Sequence, residues 1–202
     1  EVNTELTTQE VKYVLNELRK EGCLFMMFTG GETFLRKDLF EILDYATDSG
    51  FLVTLKTTGS LMTPAHAKRL KEFSLREVHI SLLGASAQVH DSVTQKKGSF
   101  DKTMAGIQML LKEGIQVRIK SVVTRGHVPE VLKIQALCKE LGLDDITFDS
   151  IIFPKSDFNR LPLKYRLTDN ELREFYRIVK VENPPEFPYA SPDYPIDDLA
   201  SS

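Results

Sequence analysis

Five times in succession an amphipathic helical stretch of this chain gives way to a short apolar run of strand length. Thr7-x-x-Glu10 forms a capping box, with Leu6 and Val11 placed as the staple across it. Val11, Val14, Leu15 and Leu18 then recur at helical spacing, Gly22 closes the helix, and "CLFMMFT" follows. A second helix carries Leu39, Ile42, Leu43 and Ala46, stops at Gly50 and precedes "FLVTLKTT". Thr63-Pro64 starts a third by cap and first-turn proline, with "EVHISLL" after it. A fourth runs from about Ser99 to Gly114 into "IQVRIKSVV", and a fifth from about Pro129 to Gly142 into "DITFDSII".

Helix and strand in strict alternation predict parallel strands joined by crossover helices. The expected fold class is α/β, a partial (β/α)6-type TIM barrel, with an open doubly wound sheet as the competing arrangement. The chain opens on a helix, so the reading is of a barrel lacking its first strand. Residues 1–155 are taken as the barrel core. The stretch 156–180 is a loop crossing followed by a helix that Thr168-x-x-Glu171 caps, ending near Lys180. From Val181 the chain holds five prolines and no helical periodicity, so 181–202 is expected as an extended or disordered tail.

The strands carry a polar side. Strands covered on both faces normally read as continuous apolar runs. Here Thr54, Lys56 and Thr58 alternate with Val53 and Leu55, and His79 and Ser81 with Val78, Ile80 and Leu82. Gln116, Arg118 and Lys120 alternate with Ile115, Val117 and Ile119, and Thr147 and Asp149 with Ile146 and Phe148. The apolar sides must take the helices, which turns the polar sides toward the barrel lumen. Burying such groups without partners would cost several kcal/mol each. The lumen is therefore expected to hold water, mutual ion pairs or a polar ligand, unless the sheet is a mixed one with a solvated face.

In "MMFTGGETFLRKDLFEIL" the first visible strand ends on two adjacent glycines and a glutamate. Gly30 and Gly31 let backbone groups approach a ligand closely, and Glu32 adds an acceptor suited to an ammonium group. In α/β folds that end of the strands carries the binding sites. A glycine pair at a strand end also serves as a simple turn.

These residues carry a resemblance. "FTGGETFLRKDLFEIL" resembles the GGE segment of the radical S-adenosylmethionine (SAM) superfamily. "VHISLLGASAQVHDSVTQKKGSFDKTMAGIQMLLKEGIQVRIKSVVTRGH" is similar to that family's later strands, notably in the SPASM-type branch that includes enzymes of pyrroloquinoline quinone (PQQ) synthesis and sulfatase maturation. The resemblance covers about residues 5 to 155. It implies a partial barrel in which SAM and a 4Fe-4S cluster generate a 5′-deoxyadenosyl radical that abstracts hydrogen from a substrate. It further implies that Gly30, Gly31 and Glu32 meet the SAM amino group, that Ser81 contacts its ribose or carboxylate, and that Lys120 reaches the carboxylate. Thr58, before Gly59, stands where the family often has asparagine. Ser81 could instead satisfy a neighbouring backbone group, and Lys120 could pair with Asp149 or Glu32.

Two departures stand out. Thr33 replaces the family's usual proline, which is expected to loosen the turn. The CxxxCxxC loop that holds the cluster is absent: the two cysteines, Cys23 and Cys138, lie far apart and read as buried small apolar residues. The reading is of a piece without its cluster loop, inactive as it stands. His90, in "VHD" beside Asp91, is read as fixing the loop after the third strand, and His66 and His127 as exposed.

The implied substrate is a peptide, a peptide-derived cofactor or another small molecule. One alternative is a degenerate, non-catalytic barrel that binds a peptide or partner; another is an ordinary barrel hydrolase or lyase using Glu32, Lys56 and His79. A net charge of -3 argues against nucleic acid, and no apolar run approaches the roughly 20 residues a membrane span needs. Two unpaired cysteines and an N-terminus without signal-peptide character give a cytoplasmic reading. An open sheet edge predicts self-association.

Overall fold

The computed structural model describes residues 5–73, 75–154 and 160–180. Helices α1 (Thr8–Lys20), α2 (Leu39–Asp48) and α3 (Pro64–Glu72) alternate with strands β1 (Phe25–Phe28), β2 (Leu52–Thr57) and β3 (Glu77–Ser81). Two helices, α4 (Ala87–Thr94) and α5 (Ser99–Lys112), then precede β4 (Val117–Val122). Helix α6 (Glu130–Glu140), β5 (Ile146–Asp149) and α7 (Asp169–Val179) follow, with a 3-10 turn at Leu161–Tyr165 before α7. The strands are hydrogen-bonded in chain order, β1-β2-β3-β4-β5.

The chain divides into two compact units. The first comprises the described residues up to Leu82 together with Ser86–Lys120. Its strands pair in parallel, with Met27 opposite Thr54, Lys56 opposite His79, His79 opposite Arg118 and Ser81 opposite Lys120. Parallel partners share a face, so this register sorts the strands into two sides. Val53, Leu55, Val78, Ile80, Val117 and Ile119 are buried and form the core with Ile42, Leu43, Ala46, Leu70, Ile107 and Leu110 from the helices. Each of the valines, leucines and isoleucines among them contributes roughly 1.5–3 kcal/mol by leaving water. The other side carries Lys56, Glu77, His79, Ser81, Arg118 and Lys120, and toward the amino ends of β1 and β2 it exposes Phe25, Met27 and Leu52.

The caps form as their sequences demand. Thr7 and Glu10 exchange both bonds of the capping box, and Thr63 accepts the His66 amide at 3.1 Å. Helix α4 is the departure, lying where the sequence reading places a loop. Ser86 caps it and Gln95 ends it in a left-handed conformation (φ 56°). Eight residues with only Ala87, Val89 and Val93 apolar are too few for a 3.6-residue period to register. His90 accordingly sits buried in this helix, its ring edge-on to Phe100 with centroids 5.8 Å apart. Beside it, Asp91 ties α4 to the start of α5, accepting hydrogen bonds from Phe100 N, Gly98 N and Ser99 Oγ.

Helix α5 also braces the turn that follows β2. Gly106 lies so close to Gly59 that a Cβ there would meet the Gly59 carbonyl oxygen, with its carbonyl carbon at 3.1 Å and Cα at 3.2 Å. One turn earlier, Thr103 Oγ1 donates to the Thr58 carbonyl at 2.9 Å.

The second unit comprises Leu83–Ala85 and the described residues from Ser121 on. Val123 N donates to Asp149 O at 2.7 Å, and Val123, Val128, Val131, Leu167 and Phe175 form its core. Glu130 accepts the Ala85 amide at 3.1 Å and Lys133 Nζ at 2.7 Å. Thr168 and Glu171 form the capping box that opens α7. The tail at 181–202 and residues 155–159 of the loop lie outside the described residues. Among the described residues no helix is long and apolar enough to cross a membrane.

Candidate functional site

Gly30 and Gly31 follow β1, exposed, and lead through Glu32 into a 3-10 turn at Thr33–Leu35. A Cβ built on either glycine would meet no atom within 4 Å, and neither has a positive φ. Neither crowding nor backbone conformation within the described fold therefore requires glycine here. What remains is approach from outside, which a bare backbone permits. The Gly30 and Gly31 carbonyls accept no hydrogen bond among the described residues, leaving them as acceptors for a ligand.

Glu32 is used differently from the sequence expectation. Its Oε1 accepts from Thr57 Oγ1 at 2.5 Å and from Phe34 N at 3.1 Å. Its Oε2 accepts from Thr58 N at 2.9 Å and, in a very short bond, from Thr58 Oγ1. A carboxylate offers about four lone-pair sites, and protein donors occupy all four. Glu32 is thus a strut between the diglycine turn and the end of β2. Thr33 adds a second tie, donating from Oγ1 to the Lys56 carbonyl at 3.1 Å. The hydroxyl that replaces the expected proline fastens the turn rather than loosening it.

Thr58 is absorbed into the same network, its Oγ1 also 2.9 Å from Ser60 Oγ. Ser81 and Lys120 stand side by side in register on the polar side of the sheet, at the carboxyl end of β3. Both are half-buried, and among the described residues neither side chain has a hydrogen-bond or ion-pair partner. Glu32 does not neutralise Lys120, because its oxygens are taken. At the carboxyl ends of β1, β3 and β4 the fold thus leaves unused two carbonyl acceptors, a hydroxyl and an ammonium.

Deeper on that side lies a buried ion cluster. Glu77 accepts from Arg118 Nε at 2.9 Å and lies 2.9 Å from His79 Nε2. Burial pushes the Glu77 carboxyl upward, but the hydrogen bonds and charges of His79 and Arg118 outweigh this and hold it below the ordinary carboxylate range. His79 Nδ1 is buried and has no hydrogen-bond partner among the described residues. Lys56, level with His79 in register, is exposed and has no ion-pair partner among the described residues. Sequence reasoning placed His79 and Arg118 on this side but missed Glu77. Its signal was the two-residue step to His79, which puts an acid and an imidazole on one strand face.

A cavity of about 330 Å³ opens beside the diglycine turn, lined by Val11, Phe28, Gly30, Gly31, Leu39 and Ile42 among others. Its apolar lining places it on the helix side of the sheet, away from Ser81 and Lys120. His66, expected to be exposed, is half-buried and stacked on Phe34 with centroids 5.0 Å apart. Cys138 is buried, which pushes its thiol up to about 11, while Cys23 is partly exposed. Among the described residues no three His, Cys, Asp or Glu side chains group as metal ligands.

Comparison with known proteins points in one direction. Residues 1–134 match the Radical SAM superfamily. The AdoMet-dependent heme synthase of Methanosarcina barkeri is 37% identical over 138 residues, covering 68% of this chain and 40% of that protein. Mycofactocin maturase MftC of Mycolicibacterium smegmatis is 36% identical over 139 residues, covering 68% of this chain and 35% of its own length. The chain therefore spans roughly two fifths of the curated relatives it matches. Among solved structures, Streptococcus suis SuiB bound to its precursor peptide SuiA superposes with a TM-score of 0.76 at 16% identity, over 89% of this chain and 40% of that one. The enzyme anSMEcpe with bound AdoMet and the Cp18Cys peptide gives 0.67 at 23%, over 86% and 50%. At those identities the likeness shows the fold, a partial (β/α) barrel.

Proposed function

This chain belongs to the radical SAM superfamily, and we propose that it supplies the SAM-binding part of an enzyme that modifies a peptide or a peptide-derived cofactor, PQQ being one such product. The observation that carries the proposal is the pair of glycines that nothing in the described fold requires. The aminoacyl end of SAM is a zwitterion. Its ammonium matches the Gly30 and Gly31 carbonyls, and its carboxylate matches Lys120 and the Ser81 hydroxyl. Glu32, Thr57 and Thr58 hold the turn in place for that contact. Bound there, SAM would bring the 5′-deoxyadenosyl group that the whole enzyme would use for hydrogen abstraction.

The 4Fe-4S cluster does not fit this chain's own residues. Three close thiolates are needed, and the sequence offers two cysteines, one of them buried in α6 with a raised pKa. No reductive step is assigned to these 202 residues. Peptide modification is suggested by the relatives named above, mycofactocin maturase and peptide-bound SuiB, both of which this chain resembles over its larger part.

The test is equilibrium binding of SAM to the chain by calorimetry, repeated with Gly31→Val and Lys120→Met. Each substitution should weaken SAM about tenfold or more, because a charge-assisted contact is worth about 1.5–3 kcal/mol. Affinity unchanged in both variants would refute the placement. Wild-type protein that ignores SAM but binds peptide would favour the non-catalytic binding module.

A further inference from the structure

In the second unit, the loop after β4, the segment after β5 and the 3-10 turn before α7 are joined by two arginines. Arg125, after β4, donates its backbone N–H to the Tyr165 carbonyl at 2.9 Å and its side-chain Nε to the Arg166 carbonyl at 3.0 Å. Arg166 in turn donates Nε to the Ile152 carbonyl at 2.9 Å, in the segment after β5. Each guanidinium is thus held at one corner by a carbonyl, and both of its terminal nitrogens are uncommitted among the described residues. Neither has an ion-pair partner there. Two acids stand in the same loops, and amides engage both. Asp149 accepts from Ile151 N, and Glu171 accepts from Gly126 N and Thr168 N. Lys164 adds a third cation, its Nζ 4.9 Å from the centre of the Tyr165 ring.

Large apolar side chains stand in water around these cations. Phe153 is 70% exposed, Tyr165 51% and Ile151 50%, and all three belong to the segments that Arg125 and Arg166 tie together. Exposed apolar groups rimmed by charge mark a contact surface. Arginine beside tyrosine and phenylalanine is the composition that protein contacts favour, because such side chains offer a large apolar area and directed donors together. The location agrees, since the carboxyl ends of barrel strands are where this class of fold binds its ligands. A guanidinium fixed at Nε presents a planar pair of N–H groups, which matches a carboxylate in two-pronged contact.

We propose that this surface docks an acidic segment of a polypeptide substrate, one in which carboxylates flank a large apolar side chain. The carboxylates meet Arg125 and Arg166, and the apolar side chain lies against Phe153, Ile151 and Tyr165. Lys164 contributes charge at the rim. The substrate role rests on the peptide-modifying reading above, whereas the docking itself does not. The chain carries its own competitor for the surface, since residues 181–202 hold five acids and no lysine or arginine.

The probe is a synthetic peptide in which two glutamates flank one phenylalanine, set against the same peptide with glutamines. Each is titrated into the full chain and followed by 1H–15N NMR. The glutamate peptide should bind about tenfold tighter than the glutamine peptide and shift the Nε–H signals of Arg125 and Arg166. Arg125→Gln and Arg166→Gln should each weaken the glutamate peptide about fivefold, the scale of a partly exposed ion pair with good geometry, and leave the glutamine peptide within about twofold. Phe153→Ser should weaken both peptides alike. Because Arg166 is half-buried, Arg166→Gln is read only if its melting midpoint matches wild type; Arg125 is exposed, and its variant carries the test otherwise. Equal binding of the two peptides, or glutamate-peptide affinity unchanged in Arg125→Gln, overturns the surface. A gain of about tenfold when Asp197→Asn and Asp198→Asn are made together would assign the surface to the chain's own acidic segment and overturn the docked substrate. Wild-type protein that fails to bind SAM while the peptide contrast persists overturns the preceding reading, and with it the substrate role but not the docking surface.

Discussion

Gly106→Ala gives opposite signs according to whether α5 braces the site. At an open helical position the change stabilises by about 1 kcal/mol, because alanine is the better helix former. Here the new methyl would lie 3.1 Å from the Gly59 carbonyl carbon and 3.2 Å from its Cα, with the carbonyl oxygen nearer still. Ordinary contacts between carbons are about 3.5–4.0 Å. Both sides of the clash are backbone, so no rotamer change relieves it. The Gly59 turn must shift by roughly half an ångström or α5 must lift away, and overpacking of this kind costs about 1–3 kcal/mol. With backbone on both sides the cost falls in the upper part of that range, about 2–3 kcal/mol, so after the propensity gain the expected net loss is about 1–2 kcal/mol. For a chain of this size that lowers the melting midpoint by about 2–8 °C. Thr58 belongs to the turn that must move, and its carbonyl is held by Thr103 on the same helix. The shift should therefore pass through the Glu32 hydrogen bonds to the diglycine turn and weaken SAM binding as well. Urea denaturation and calorimetric titration of SAM measure the two effects. A variant as stable as wild type or more so, with unchanged SAM affinity, would refute both the close packing and the bracing.

Glu77→Ala removes the buried carboxylate that accepts from Arg118 and lies against His79. Breaking such a pair costs about 3 kcal/mol, the low end of the usual range because Arg118 is 29% exposed, and urea denaturation reads the loss. Stability should also fall in acid. Glu77 is held low by His79 and Arg118 against its burial, Asp91 by the Phe100 amide first, Glu130 by Lys133 against its burial, and Glu171 by the Thr168 amide against its burial. A carboxyl lowered in the folded state contributes stability that is complete above its unfolded pKa, near 4, and is lost as pH falls through the folded value. The urea midpoint should thus be flat from about pH 7 to 5 and drop below about 4; a drop already complete at pH 5 contradicts the assignment. Native protein treated with iodoacetamide near pH 8 should label at Cys23 and spare Cys138, whose thiol sits at about 11; equal labelling would mean α6 opens readily.

The fold was legible because its signals are local and repeated. Thr7-x-x-Glu10 and Thr168-x-x-Glu171 each form the capping box they spell, and Leu39, Ile42, Leu43 and Ala46 bury the face their spacing defines. Alternation along β2, β3 and β4 gave the two sides of the sheet before any register was known. What failed was also local: α4 is too short for periodicity to speak, and its defining contact, Asp91 to the α5 amides, spans residues that no helical spacing links.

The site was legible as a set of positions but not as a set of partnerships. Period-two reasoning put Ser81 and Lys120 on one side, and the register sets them opposite each other. It could not say that Glu32 would spend its carboxylate on Thr57, Thr58 and Phe34, because those hydrogen bonds join residues up to 26 apart through the turn's three-dimensional path. The consequence reaches past bookkeeping of ligands. If Glu32 is a strut, Glu32→Gln should break part of it, since one carboxylate oxygen becomes an NH2 that cannot accept from the Phe34 or Thr58 backbone N–H it then faces. Stability and SAM affinity should then decline together, and a second-site change that restores the turn should restore both. A direct ammonium ligand would behave otherwise, with SAM affinity falling at unchanged stability. Measuring both quantities on the one variant separates a residue that holds the binding surface from one that is part of it.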